Sequence, residues 1–434
     1  MGIDVRLKEG TVLKSKAGES YTVKQQLGAG GQGEVYAVEN KGITYALKWY
    51  YAKSATKNQK DILDNLIMKG KPNDSFLWPQ DLIYKKEGEP FGYIMPLRPE
   101  NYKGIIDMMK RRAEPSFEAL CRAAFNLTKG YRDLHSMGYC YRDISFGNVF
   151  FNPDTGDVLI CDNDNVSYDG AVSGVYGTAR FMAPEIVNGK AKPSTNTDLF
   201  SLAVLLFYMF MLNHPLEGKL EANIKCLDYL AMNRLYGTHP VFIFDPNDTS
   251  NRPLEGYQDN ALIYWKIYPK QLKDMFTRAF TVGIHEPNKR VTEAEWLDVF
   301  ANLMSGIQNC QKCGAEVFYD TEKVEKNENH ICWSCNSKVK MPHILKTGKS
   351  IVLLKEDAKI YSHHIKGDRD METEVGVVVQ NPKNPKLYGI KNKSKDNWTY
   401  IKADGTQIPV APGRSAAIAK DSKINFGQIT GEFK

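Results

Sequence analysis

Gly28-Ala29-Gly30-Gly31-Gln32-Gly33 lies between two runs with strand patterning, Tyr21 to Leu27 and Glu34 to Val38, and this placement restricts the fold more than any other feature. A glycine-rich loop lets backbone amides lie close to phosphate groups, because no Cβ blocks the approach. In a dinucleotide-binding βαβ unit such a loop opens a helix. Here Glu34-Val35-Tyr36-Ala37-Val38 continues as a strand, so the loop is a hairpin turn. The next strand pattern, Ile43 to Tyr50, carries Lys48 among apolar neighbours, where its ammonium can reach the α and β phosphates of a nucleotide beneath the loop. One helix is expected from about Ala55 to Lys69, with Ile62, Leu63, Leu66 and Ile67 on one face and Gly70-Lys71-Pro72 ending it.

From residue 99 the pattern turns helical, with helices expected at Ser116 to Met137, Thr197 to Leu212, Pro269 to Phe280 and Thr292 to Met304. A loop-and-strand segment, Tyr139 to Val166, interrupts them and holds most of the chemistry. Tyr141-Arg142-Asp143-Ile144-Ser145-Phe146-Gly147-Asn148 sets Asp143 and Asn148 at the spacing of a base for an acceptor hydroxyl and a magnesium ligand. Asp162 follows the apolar Val158-Leu159-Ile160, where a second metal-binding carboxylate would sit. Asp164, two residues on, would face the same way on extended backbone as an additional metal ligand, or else cap a turn. Gly177-Thr178-Ala179-Arg180-Phe181-Met182-Ala183-Pro184-Glu185 completes the series.

In this order the motifs resemble those of the eukaryotic-type serine/threonine protein kinases, over roughly residues 20 to 300. The resemblance implies an α+β, bilobal fold and ATP-dependent transfer of the γ-phosphate to protein hydroxyls, with protein substrates as partners. Carried over by position, Lys48 anchors ATP, Asp143 orients or deprotonates the acceptor, and Asn148 with Asp162 hold Mg2+ or Mn2+. Gly28, Ala29, Gly30, Gly31, Gln32 and Gly33 cover the phosphates, Val35 and Ala46 line the nucleotide site, and Met95, Pro96, Leu97 and Arg98 receive adenine. Asp198 and an Arg290 to Glu185 pair would be structural. Ser167, Tyr168, Ser173, Tyr176 and Thr178 are candidates for autophosphorylation, with Arg142 as the pairing cation.

The chain also departs from the family. The helix glutamate that pairs with the lysine has no equivalent, leaving Asp61 or Asp64 as the available acid. Tyr141 replaces a histidine, Asp-Phe-Gly becomes Asp162-Asn163-Asp164, and Ser145 stands where a lysine neighbours the transferred phosphate. Phosphoryl transfer depends on positioned positive charge, so a nucleotide-binding scaffold without transfer, or transfer of AMP from the same site, are the alternatives.

Two C-x-x-C pairs follow, Cys310 with Cys313 and Cys332 with Cys335, a spacing that fits a four-cysteine structural Zn2+ ribbon. Four thiolates leave no open position for catalysis. Beyond Pro342, strands are expected at Ser350 to Leu354, Val375 to Val379, Leu387 to Lys391, Trp398 to Ile401 and Ile424 to Phe426, giving a sandwich-like all-β domain. Its Tyr388 to Ser394, Pro412-Gly413 and Ile424 to Gly427 are faintly similar to forkhead-associated domains. The expected divisions are 1–304 (small lobe about 12–97, large lobe about 98–304), 305–342 and 343–434. This order resembles bacterial kinases associated with tellurite resistance, which implies a metal-dependent protein phosphatase as a partner.

A net charge of +6 gives no warrant for nucleic acid, and the 16 Lys and Arg against 10 Asp and Glu from Lys346 onward read as solvated strand faces. No apolar run reaches the roughly 18 to 20 residues that span a bilayer, so no membrane is expected. The start, Met1 to Arg6, lacks the apolar stretch of a signal peptide, and a cytoplasmic location is the expectation.

Overall fold

A computed structural model describes residues 6–84, 91–169, 177–348, 350–382 and 384–434. The small lobe is a closed antiparallel barrel of β1 (Val12–Ser15), β2 (Ser20–Ala29), β3 (Gly33–Asn40), β4 (Ile43–Tyr50), β5 (Asp81–Tyr84) and β6 (Phe91–Pro96), in the order β1-β2-β3-β4-β6-β5. The glycine loop is the β2–β3 hairpin, closed by the Gly30 amide donating to the Gly33 carbonyl at 2.9 Å. Gly33 is required by packing, since a Cβ there would lie 2.2 Å from the Trp49 carbonyl oxygen on β4.

Helix α1 (Lys57–Lys69) starts where the Thr56 side chain accepts from the Gln59 amide and ends at Gly70, whose φ of 81° favours glycine. It buries Leu63 and Leu66, as its periodicity predicts. The Trp78 indole donates to the Leu66 carbonyl at 2.9 Å, which fixes the end of α1 over the segment leading to β5.

The large lobe begins with β7 (Lys103–Gly104) and α2 (Ile105–Met109) and is organised around α3 (Phe117–Ser136). A short loop region follows, with β8 (Tyr139–Cys140), β9 (Val149–Phe151), β10 (Val158–Ile160) and β11 (Ser167–Tyr168). After α4 (Pro184–Val187) comes α5 (Thr195–Met211), apolar on nearly every face because it is packed all round, and capped by Ser194. Burying each of its Leu and Phe side chains contributes about 1.5–3 kcal/mol, which makes α5 the pillar of the lobe. The helices Lys270–Phe280 and Glu293–Ser305 pack beside it. The Arg290 Nη2 lies 2.8 Å from Glu185, joining the start of α4 to this outer layer. Among the described residues no helix is long and apolar enough to cross a membrane.

Beyond the cysteine pairs, two antiparallel sheets face one another over a shared core that includes Leu345, Ile390, Trp398, Ile424 and Phe433. One has six strands, in the order Ser350–Leu353, Ile344–Thr347, Thr430–Phe433, Lys423–Asn425, Trp398–Ile401, Gln407–Val410; the other has four, Lys359–Tyr361, Glu374–Asn381, Asn384–Asn392, Ser415–Ala417. This sandwich rests on the large lobe: His364 Nε2 is 2.9 Å from Ser305 Oγ, and the Lys355 ammonium donates to the Ile307 carbonyl.

Candidate active site

Strand β4 delivers Lys48 into the space between the lobes, buried to 7% side-chain exposure. Its ammonium donates to Asp164 at 2.8 and 3.0 Å, to Asp162 Oδ1 at 3.0 Å and to Gln32 Oε1 at 3.2 Å. Three N–H donors are thus met by three residues. Burial disfavours the charge on Lys48, but the two carboxylates outweigh it and hold the ammonium protonated, well above its usual range.

Asp162 sits after β10 in the left-handed region (φ 55°, ψ 42°), a conformation that Asp tolerates better than most residues. That twist leads into a tight 3-10 turn, Asn163–Asn165, rather than the extended backbone considered above. Desolvation raises the Asp162 pKa, with Lys48 opposing and Asp164 adding to the shift. Asp162 remains 40% exposed, whereas the Asp164 side chain is fully enclosed. Asp164 therefore does not present itself as an additional metal ligand: besides Lys48 it accepts from the hydroxyls of Tyr50 and Tyr93.

Asn163 does not leave a hole in the core. Its Nδ2 donates to the carbonyls of Leu77 (2.9 Å) and Ile160 (3.0 Å), pinning the turn to the strand behind it, while its buried Oδ1 has no protein partner. The Tyr141 hydroxyl donates to the Cys161 carbonyl and so links the loop of Asp143 to the segment of Asp162.

The loop itself is held by Asp198 at the start of α5, which accepts from the backbone amides of Tyr141 and Arg142. This allows Arg142 a φ of 72°. Asp143 is then fixed from both sides, with Thr178 donating its hydroxyl to Oδ1 at 2.8 Å and Asn148 Nδ2 reaching Oδ2 at 3.3 Å. Asn148 Nδ2 also donates to the Asp143 carbonyl at 2.9 Å. Val35, Ala46, Met95 and Leu97 meet in one apolar cluster, with Ala46 opposite Met95 across β4 and β6. The Arg98 side chain stacks over Phe150 and donates to the Tyr102 carbonyl.

Neither acid proposed as the Lys48 partner reaches it. Asp64 pairs with Lys16, just past the end of β1, at 2.6 Å, and Asp61 is exposed. With Leu63 and Leu66 turned to the core, these acids fall on the outer side of α1. The α1 residue that reaches the site is Gln59, donating to Tyr50 Oη at 3.2 Å and to the Asp164 carbonyl at 3.1 Å. Sequence reasoning missed Gln59, Tyr50 and Tyr93; the signal was two tyrosines on adjoining strands flanking Lys48. Ser173 and Tyr176 lie outside the described residues.

The four cysteine sulfurs all lie within 4.8 Å of one another, with Cys310 to Cys335 at 3.7 Å and Cys313 to Cys332 at 3.6 Å. Tetrahedral zinc with Zn–S bonds of about 2.3 Å needs S to S separations of about 3.8 Å, so the cage fits the ion. Each C-x-x-C turn closes the same way, with Gly314 and Asn336 at positive φ donating their amides to the Cys310 and Cys332 carbonyls.

Residues 21–300 match the protein kinase domain family, and the chain belongs to that family. Among curated proteins it is 29% identical to the probable serine/threonine-protein kinase CCRP1 of Zea mays over 208 residues, which is 45% of this chain and 32% of the relative. It is 29% identical to protein kinase C delta type of Mus musculus over 216 residues, 46% of this chain and 30% of the relative. With protein kinase YegI of Escherichia coli (strain K12) the match is 24% over 332 residues, covering 70% of this chain and 48% of the relative. The chain spans about a third to a half of the length of these relatives.

Proposed function

We propose that the chain is an ATP-dependent serine/threonine protein kinase of bacterial signalling, transferring the γ-phosphate to protein hydroxyls. The observation that carries this reading is the state of Asp143: the carboxylate that would orient an acceptor hydroxyl already accepts from one, that of Thr178, and is braced by Asn148. Lys48 and Asp162 lie together in the same interlobe region. Bound ATP with Mg2+ or Mn2+ would supply the phosphate and the cation; Lys48 would grip phosphate, and Asn148 and Asp162 would hold the metal. The serine/threonine kinase name of the maize relative and the likeness to YegI support the substrate class and the bacterial setting. A cytoplasmic location and a partner metal-dependent phosphatase belong to the same reading, through the resemblance to tellurite-associated kinases.

A second reading, a nucleotide-binding scaffold without transfer, is favoured by one observation. Ser145 stands buried where a lysine would neighbour the transferred phosphate, so less positive charge faces it. Incubation with γ-labelled and, separately, α-labelled ATP and a generic protein acceptor tests both. Label from the γ-position alone supports the kinase; label from the α-position means AMP transfer; tight ATP binding with neither label means a scaffold.

A further inference from the structure

The ion pair that steadies the phosphate-binding lysine is the part of this site whose partner could not be found in the sequence. Lys48 comes from β4, and the nearest helix, α1, offers it no acid: Asp64 is committed to Lys16 and Asp61 is exposed. Asp164, in the turn after Asp162, takes two of the Lys48 contacts at 2.8 and 3.0 Å. The carboxylate is fully enclosed, and the hydroxyls of Tyr50 on β4 and Tyr93 on β6 also donate to it. Four donor contacts from two strands thus converge on its two oxygens, a geometry in which the carboxylate can scarcely move.

We propose that Asp164 is the positioning carboxylate of Lys48, held in place by Tyr50 and Tyr93, and that α1 supplies no charge to this pair. It rests on the reading of Lys48 as the phosphate anchor. The consequence concerns regulation. The pair joins β4 to the turn that carries the metal-binding Asp162, so it holds wherever α1 sits; among the described residues α1 reaches the pair by the hydrogen bonds of Gln59 and by Leu63, which shares an apolar cluster with Tyr50 and Tyr93. A displacement of α1 loosens Tyr50 but does not break the Lys48 pair. What breaks it is a rearrangement of the turn Asn163–Asn165, which would withdraw the carboxylate and reshape the backbone at Asp162 together.

The side-chain swap Asp164→Asn keeps the shape and removes the charge. Its effect is read first by calorimetric binding of adenosine and of ADP in the absence of transfer. Adenosine carries no phosphate and should bind as to the unaltered chain, whereas ADP should bind about tenfold or more weakly, the scale of one charge-assisted contact. Asp61→Asn and Asp64→Asn should leave both affinities unchanged. Adding Gln59→Glu to Asp164→Asn returns a carboxylate from α1 to within reach of Tyr50 and should recover part of the ADP affinity, which a merely structural role for Asp164 would not produce.

Equal weakening of adenosine and ADP, or an unchanged ADP affinity in Asp164→Asn, overturns the proposal. So does weakened ADP binding in Asp64→Asn or Asp61→Asn, which would return the pair to α1. Loss of Mn2+ binding with ADP affinity measured in EDTA unchanged would make Asp164 a metal ligand instead. A chain that binds ADP in this Asp164-dependent way yet transfers no label from ATP sinks the kinase reading while leaving the pair in place.

Discussion

Thr178 donates its hydroxyl to Asp143 Oδ1 across 2.8 Å, tying the stretch that leads to α4 onto the loop that carries Asp143 and Asn148. The same threonine is one of the hydroxyls that could be phosphorylated, and the contact separates the two roles. A phosphate on Thr178 would remove the donor and set negative charge beside Asp143, which disfavours transfer.

Thr178→Ala should therefore lower the transfer rate by about ten- to a hundredfold, with ATP affinity nearly unchanged, as expected for losing one hydrogen bond to a charged group. Thr178→Ser should keep most of the rate. Steady-state kinetics with saturating ATP make the comparison; an alanine variant as fast as the unaltered chain would detach Thr178 from the chemistry.

Asp143→Ala should reduce transfer by at least about a hundredfold while nucleotide binding holds, because in the proposed reading this carboxylate acts on the acceptor and not on ATP. Its neighbours are tied down independently by Asp198, through the Tyr141 and Arg142 amides. Parallel loss of nucleotide binding would show that the loop, and not only its chemistry, depends on Asp143.

The sequence was legible where one local rule governed the outcome. Helix α1 and the helices Lys270–Phe280 and Glu293–Ser305 fall within a residue or two of their expected limits, because caps and apolar spacing agree. The sandwich was legible as a class, yet Gln407–Val410 and Ser415–Ala417 were not anticipated as strands: they are short, and Gln407 to Pro409 are exposed, so little alternation marks them. Around Lys48 the motifs named the residues but not their pairings. The residues alone allow Asp164 either on extended backbone facing a metal or in a turn, and the left-handed Asp162 decides between them by leading the chain into a 3-10 turn that encloses the carboxylate. Nothing in the residue types signals that Asn163 would be paid in hydrogen bonds to Leu77 and Ile160, since both acceptors are backbone carbonyls.

His135, on α3, bridges Asp198 and Glu293, and stability should depend on pH through it. Burial would lower its pKa, but hydrogen bonds to the two carboxylates prevail and lift it from 6.5 to about 9. A folded-state value above the unfolded one means the contribution is complete below about pH 6.5 and is lost as pH rises through about 9. Linkage puts its ceiling at about 3 kcal/mol. The midpoint of thermal unfolding for His135→Asn should fall well below that of the unaltered chain at pH 6, with the gap narrowing by pH 10. A gap independent of pH would mean the ring contributes by packing rather than charge.

The cysteine cage makes the last prediction, because its geometry and its packing lead to separable outcomes. Sulfur separations of 3.6 and 3.7 Å suit one zinc ion, and Cys313→Ser removes one of four ligands, so metal content should fall from one zinc per chain to a small fraction of that. The module leans on the large lobe from outside: Phe318 packs tilted and Trp333 edge-on against Phe117, and the Phe117 amide donates to Glu316. None of these residues takes part in the contacts around Lys48 or Asp143. Nucleotide affinity should then survive Cys313→Ser within about twofold, a limit set well under the 1.4 kcal/mol that a tenfold change represents, while the Trp333 fluorescence shifts as the ribbon loosens. Phe117→Ala should give the converse, full zinc with a displaced ribbon. Protein that contains no zinc as purified, or a Cys313→Ser variant that keeps the full amount, would show that the four sulfurs gather for another reason.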